Sequence, residues 1–155
     1  CTFIGGTWKD VTTDDLFKGK RVVMFSLPGA FTPTCSSEEL PSYDRMYNEF
    51  KDMGIDDVYC VSVNDAFVMN AWARDLEIQH VKMIPDGCGT FTSNMGMLVA
   101  KPKQGFGMRS WRYAAVVNDG VVEKMFEEPG FNNFSDDDDP YVVSKPEIVK
   151  NYLNG

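Results

Sequence analysis

Histidine is nearly missing from this 155-residue sequence, with His80 alone, and cysteine is scarce, at Cys1, Cys35, Cys60 and Cys88. Four cysteines are too few for a disulfide framework, and no two of them form a C-x-x-C pair. A zinc site would have to gather them from distant places with one histidine to help, so neither metal nor cofactor is expected. No apolar run approaches the roughly 18 residues of a membrane span. Positive charge is in deficit: 15 Lys and Arg against 23 Asp and Glu leave a net charge of −8. Such a surface repels phosphate backbones and anionic lipid, so nucleic acid and membranes are not expected partners. A starting methionine is also missing. Cys1 as the lipidated first residue of a mature lipoprotein is one reading, and a chain trimmed at its N-terminus is the expectation. Unpaired cysteines without a signal peptide point to a reducing, cytoplasmic compartment.

The composition that is present, 43% hydrophobic and 25% charged, is that of a globular chain and excludes disorder and collagen. The length fits one domain over residues 1–155. RVVMFSL (Arg21–Leu27) and VYCVSV (Val58–Val63) are continuous apolar runs, which predict strands buried on both faces. Thr13–Lys18 reads as a helical turn closed by Gly19. From about Thr34, Leu40, Tyr43, Met46, Tyr47 and Phe50 recur at helical spacing, with Pro41 expected to kink the helix and Gly54 to end it. A helix is expected over Ala66–Leu76, a third strand over Val81–Ile84 and a helical turn at Phe91–Met95. A hairpin of Trp111–Val117 with Val121–Phe126 turns at Asn118-Asp119-Gly120, and a last helix spans Pro146–Leu153. Strands separated by helices pair in parallel, whereas the hairpin is antiparallel. The expected fold is therefore α/β, with a mixed central sheet flanked by helices on both faces. A thioredoxin-like fold suits this order, as do other small mixed sheets.

Cys35 stands where a loop rich in turn formers (Pro28 to Thr34) enters a helix. The first N–H groups of a helix have no internal partners, and the dipole places partial positive charge there, so a thiolate is favoured. Position alone leaves a small buried hydrophobe equally open. Cysteine hydrolases need a histidine base, and His80 lies in a polar stretch that reads as surface. A thiolate working without histidine suits a substrate whose bond is already weak, such as a peroxide O–O bond.

Pro28-x-x-x-Thr32-x-x-Cys35 resembles the active-site signature of the peroxiredoxins. SLPGAFTPTCSSEELP (Ser26–Pro41), VSVNDAF (Val61–Phe67) and RSWRYA (Arg109–Ala114) are similar to the type-5 subfamily. FVMNAW (Phe67–Trp72) and VEKMF (Val122–Phe126) are similar to its bacterial branch, some members of which are fused to glutaredoxin. The resemblance spans nearly the whole chain. It implies a thioredoxin-like fold and reduction of hydrogen peroxide and organic hydroperoxides by a cysteine thiolate. It matches Cys35 to the peroxidatic cysteine, Thr32 to the residue that hydrogen-bonds peroxide, Pro28 to the proline that shields the thiolate and Arg112 to the active-site arginine. Arg109, an odd number of residues earlier, would face away on a continuous strand and reads as a surface charge.

A helix terminus supplies at most about 2 kcal/mol, and a guanidinium about 4 Å away up to about 4 kcal/mol at an effective dielectric of about 20. Arg112 should thus do more for ionisation than the dipole. Even so, lowering a thiol pKa from about 8.5 to about 6 raises the thiolate fraction at pH 7 only about 30-fold. The remainder must come from orientation and transition-state stabilisation.

The resulting sulfenic acid needs a second thiol. No cysteine follows Cys88. Cys60 lies mid-strand, where a buried bystander is expected although some plant relatives carry a second cysteine there, and Cys88 lies in a Gly-flanked turn and reads as a spectator. One-cysteine turnover is therefore expected, with glutathione, alone or with glutaredoxin, as reducing co-substrate and thioredoxin as the alternative. The resemblance also implies a homodimer with Phe31 and Phe67 near the contact. Phe31, Phe67, Trp72 and Trp111 would line a pocket for alkyl hydroperoxides or, for most of them, fill the core. Asp136 to Asp139 lack the spacing of a calcium loop and read as a solvated segment. A disulfide oxidoreductase is disfavoured by the missing C-x-x-C. A peroxide sensor or binding module differs from a peroxidase in that it does not turn over.

Overall fold

The apolar run at Arg21–Ser26 forms the middle strand of a five-stranded sheet. The structure, a computed structural model, describes residues 1–131 and 139–155. In chain order it contains β1 (Thr2–Ile4), β2 (Thr7–Lys9), α1 (Thr13–Phe17), β3 (Arg21–Ser26), a π-helical turn (Cys35–Glu39), α2 (Leu40–Arg45) and α3 (Tyr47–Asp52). There follow β4 (Asp57–Ser62), α4 (Ala66–Asp75), β5 (Lys82–Pro85), α5 (Thr90–Asn94), β6 (Leu98–Lys101), β7 (Gly107–Ser110), β8 (Tyr113–Asn118), β9 (Val121–Glu127) and α6 (Pro146–Leu153).

The sheet order is β5-β4-β3-β8-β9. β3, β4 and β5 run parallel, and β8 and β9 are antiparallel to their neighbours, which is the expected mixed sheet. Side chains alternate across β3. Val23 and Phe25 face a core closed by Leu40 and Tyr43 of α2, Phe50 of α3, Met69 and Trp72 of α4 and Val149 of α6. Val22 and Met24 face the opposite core with Phe17 of α1, Met97 and Val99. Helices therefore cover both faces. The β8–β9 turn holds Asp119 and Gly120 at φ 49° and 79°, the left-handed pair that a two-residue hairpin requires.

The long helix after Cys35 departs from its expected form. Its first turn is π-helical, with Leu40 N–H donating to the Cys35 carbonyl, and the helix is interrupted again at Met46. Pro41 has no N–H to return and its ring crowds the preceding turn, so the wider π register sits where an α-helix would be broken. The strand expected to begin at Trp111 begins instead at Tyr113. Trp111 and Arg112 link β7 to β8, and β7 pairs with β6 in a separate two-stranded sheet. The Asp136–Asp138 part of the aspartate run lies outside the described residues.

Two registers position the site. Ser26 pairs with Tyr113, so Arg112 sits beside the end of β3, where the chain turns toward Cys35. Tyr113 pairs with Glu127, which sets Glu128 beside Arg112, and Glu128 N–H donates to the Arg112 carbonyl at 3.2 Å.

Candidate active site

The loop from Pro28 to Thr34 leaves β3 at the carboxyl end of the parallel strands, the usual place for sites in such sheets. Asn64, just after β4, anchors it: the side-chain oxygen accepts from Ala30 N–H at 3.0 Å and from the Ser62 hydroxyl at 2.6 Å. Thr32 hydroxyl donates to the Gly29 carbonyl at 2.7 Å, and Thr32 carbonyl accepts Ser36 N–H at 3.0 Å. Trp72, buried on α4, donates its indole N–H to the Ser36 hydroxyl at 2.9 Å and so ties the π turn to the core. Phe31 adopts φ 64°, a left-handed conformation uncommon for a bulky residue.

Cys35 is fully buried, and Arg112 Nη2 donates to its Sγ at 3.3 Å. The same guanidinium donates through Nε to Glu39 Oε2 at 2.7 Å and through Nη1 to the Pro140 carbonyl at 2.9 Å, and it pairs with Asp139 at 2.5 Å. Its face lies 5.6 Å from the Tyr141 ring. Arg112 and Glu39 are both buried, whereas Asp139 is about half exposed, at 48%. A cavity of about 180 Å³ adjoins these groups, walled by Pro28, Pro33, Phe106, Trp111 and Pro140, with Thr32 and Arg112 among its polar members.

The electrostatics correct one expectation. Burial pushes the Cys35 thiol up, and the Glu39 carboxylate pushes it further. Arg112 and the Thr32 hydroxyl pull it down without overturning that direction. Burial also raises the Glu39 carboxyl to about 8 against the pull of Arg112. Arg112 is drawn down by its own burial, but Glu39, Cys35 and Asp139 outweigh this and hold it above its ordinary value.

Pro28, Thr32, Cys35 and Arg112 are thus brought together. Arg109 corrects the surface reading. It lies half-buried on β7, a different strand from β8, so alternation along one strand does not apply. Its Nη1 donates to the Pro28 carbonyl at 3.1 Å and its Nε to the Phe106 carbonyl at 3.0 Å, near enough for the Cys35 charge to act on it. His80 is exposed, stacked on Tyr47 at 4.8 Å. Cys60 is buried in β4, with its thiol pushed well up by burial, then by Glu39 and Cys35, whereas Cys88 and Cys1 are exposed. Of the four aromatics considered for a pocket, Trp111 lines the cavity and Trp72 packs in the core, while Phe31 and Phe67 are each 54% exposed. Phe106, which carries no sequence signal of its own, also lines the cavity.

Sequence reasoning missed Glu39, Asp139 and Glu128. Glu39 had a local signal, a carboxylate four residues after Cys35 on the same helical face. Glu128 had none. Its carboxylate accepts from the N–H groups of Val142, Val143 and Ser144 and from the Ser144 hydroxyl, pinning the segment that carries Pro140 over Arg112.

Known proteins bear on this geometry directly. The Redoxin family model matches residues 3–139. The chain belongs to the peroxiredoxin family. It is 63% identical over 142 residues to Peroxiredoxin y4vD of Sinorhizobium fredii, covering 92% of this chain and 75% of that protein. It is 54% identical over 149 residues to hybrid peroxiredoxin hyPrx5 of Haemophilus influenzae, covering 96% of this chain and 60% of that protein. The Plasmodium falciparum antioxidant protein, a 1-Cys peroxiredoxin, superposes with a TM-score of 0.87 at 40% identity over 93% of this chain and 84% of its own. This peroxiredoxin is therefore a thiol-dependent peroxidase on a thioredoxin-like fold. No helix among the described residues is long and apolar enough to cross a membrane.

Proposed function

We propose that Cys35 is the peroxidatic nucleophile, that Thr32 and Arg112 hold the peroxide oxygens, and that Pro28 screens the sulfur from water. The observation that carries this reading is Arg112, which bonds Cys35 Sγ at 3.3 Å and also lines the cavity. At that separation a unit charge pair is worth about 5 kcal/mol at an effective dielectric of about 20. That opposes the burial that raises the thiol. The thiolate attacks one peroxide oxygen and the O–O bond breaks. The departing hydroxide or alkoxide takes up a proton, and Cys35 becomes a sulfenic acid. Charge growing on the departing oxygen lies within reach of fixed donors, Arg112 foremost. The apolar cavity walls suit the organic part of an alkyl hydroperoxide.

Turnover proceeds through one cysteine and external thiol. Cys60 is buried in the central sheet, out of reach of external thiol, which supports this reading. One thiol condenses with the sulfenic acid, releasing water and leaving a mixed disulfide. A second thiol breaks that disulfide and returns Cys35. Glutathione, with or without glutaredoxin, is the proposed reductant, supported by the 54% identity to a hybrid peroxiredoxin. The protein acts in the cytoplasm as a homodimer. Exposed Phe31 and Phe67, the latter edge-on to Trp8 at 5.4 Å, supply an apolar face beside the site.

Peroxide consumption with glutathione, glutathione plus glutaredoxin, and thioredoxin tests this reading, with Cys35→Ser as control. Turnover with glutathione that Cys35→Ser abolishes is expected. Turnover with thioredoxin alone would overturn the assigned reductant, and activity surviving in Cys35→Ser would overturn the assigned nucleophile.

A further inference from the structure

Arg112 faces two buried acids at once. Cys35 and Glu39 lie at opposite ends of the π-helical turn, and the same guanidinium reaches both, Nη2 to sulfur at 3.3 Å and Nε to Glu39 Oε2 at 2.7 Å. All three groups are buried. One positive charge in such a place does not support two full negative charges, because each buried anion needs its own compensation. Glu39 Oε1 is also buried without a hydrogen-bond partner among the described residues. An ionised carboxylate with a bare oxygen is costly there, and a neutral carboxylic acid less so.

We propose that Glu39 is a positioning residue for the peroxidase reaction: it takes the proton while Cys35 is the thiolate, so that Arg112 does not have to compensate a second buried anion beside the sulfur. This inference rests on Cys35 being the nucleophile. The pair then holds one proton between them over the working pH range. Either the thiol is neutral and Glu39 is paired with Arg112, or Glu39 is neutral and the thiolate is paired.

The other charges around Glu39 favour its neutral form. Asp139 and Glu128, from the two segments that cover Arg112, both push it up. Tyr43 of α2 and Tyr141 are hydroxyls held un-ionised by burial, and Cys60 of β4 is a thiol held un-ionised in the same way. Arg112 is the cation that chiefly lowers Glu39, and Arg109, half-buried on β7, lies near enough for the Cys35 charge to act on it. Burial places the Glu39 carboxyl at about 8, so the proton is available to it near neutrality.

Titration of the whole protein, reduced and free of peroxide, distinguishes this from a packing role. Thiolate is read by its ultraviolet absorbance against a Cys35→Ser blank, and the protonated carboxyl by its infrared carbonyl band. In the wild type, thiolate should form in two steps, because the pair loses its two protons one after the other. The carboxyl band should fall only in part through the first step, in proportion to the thiol that stays neutral, and vanish in the second. In Glu39→Gln, thiolate should form in a single step, with no such band. Alkylation of Cys35 by iodoacetamide above pH 8 should then be several-fold faster than in the wild type. Identical thiolate curves in wild type and Glu39→Gln would overturn the proposal. So would a wild-type carboxyl band lost before any thiolate appears, a readout that does not depend on the variant folding. If Cys35→Ser retains peroxidase activity, the underlying assignment of the nucleophile fails instead, and the two failures are distinguishable.

Discussion

Arg109 Nη1 donates to the Pro28 carbonyl at 3.1 Å and occupies the space that a Cβ on Gly29 would need. Gly29 is not in the positive-φ region, so alanine fits its backbone. The conflict is with the Arg109 guanidinium alone. Gly29→Ala should therefore displace Arg109, release the Pro28 carbonyl and loosen the loop that presents Thr32. A shift of about 1 Å at such a site costs about 10-fold to 100-fold in rate. The expected result is a kcat/KM for hydrogen peroxide lower by about tenfold, with a melting temperature little changed. Steady-state kinetics beside a thermal melt check both halves.

Arg112 reaches Cys35, Glu39, Asp139 and the Pro140 carbonyl with one planar fork. Lysine keeps the charge and loses the fork. Arg112→Lys should lower kcat/KM by roughly two orders of magnitude, since lysine cannot hold two peroxide oxygens and the sulfur together. Arg112→Ala should fall further and lose about 3 kcal/mol of stability, because it leaves Glu39 buried without its partner. Its rate should drop by more than the measured change in Cys35 ionisation explains. If the two match, donor contacts to the departing oxygen contribute nothing.

The loop was legible because its turn formers and the cysteine that ends it are contiguous in sequence. The β8–β9 hairpin was legible because Asp119-Gly120 allows one kind of turn. Arg112 is reached through family resemblance, and alternation does not hold for Arg109 because β7 ends at Ser110 and Trp111 and Arg112 break the chain before β8 begins. β6 and β7 are four residues each; β6 buries Val99 and Lys101 in alternation, a face half lysine that gives no apolar alternation to read, and β7 is largely exposed. Glu128 reaches the site only through the β8–β9 register and the turn of the chain at Val142–Ser144, so no local pattern announces it.

Glu128 carries a prediction of its own. Its carboxylate accepts three backbone N–H groups and one hydroxyl, all buried or partly buried. Glutamine would turn a donor toward those donors. Glu128→Gln should cost about 2 kcal/mol, the scale of a buried donor left unsatisfied. Amide exchange at Val142, Val143 and Ser144 should speed up. Hydrogen exchange read by mass spectrometry locates the effect, and unchanged protection there would contradict the pinning role.

Stability should fall as pH rises from acid through neutral. Burial raises the Glu39 carboxyl from an ordinary 4.5 to about 8. The folded chain thus holds this proton more tightly than the unfolded chain. Its contribution is fully present below about pH 4.5 and is lost as pH passes about 8. The change is on the order of 5 kcal/mol at most. Urea unfolding between pH 5 and pH 9 should show the decline in wild type and a flatter profile in Glu39→Gln. A wild-type profile as flat as that of the variant would contradict the raised value.

Intact-mass analysis of reduced protein after one equivalent of hydrogen peroxide, beside Cys35→Ser, tests the central claim most directly. The account predicts a rapid gain of one oxygen in the wild type and none in the variant. Loss of two hydrogens would signal a disulfide and contradict one-cysteine chemistry, and no rapid change in either protein would contradict the assignment of Cys35 as the peroxidatic thiol.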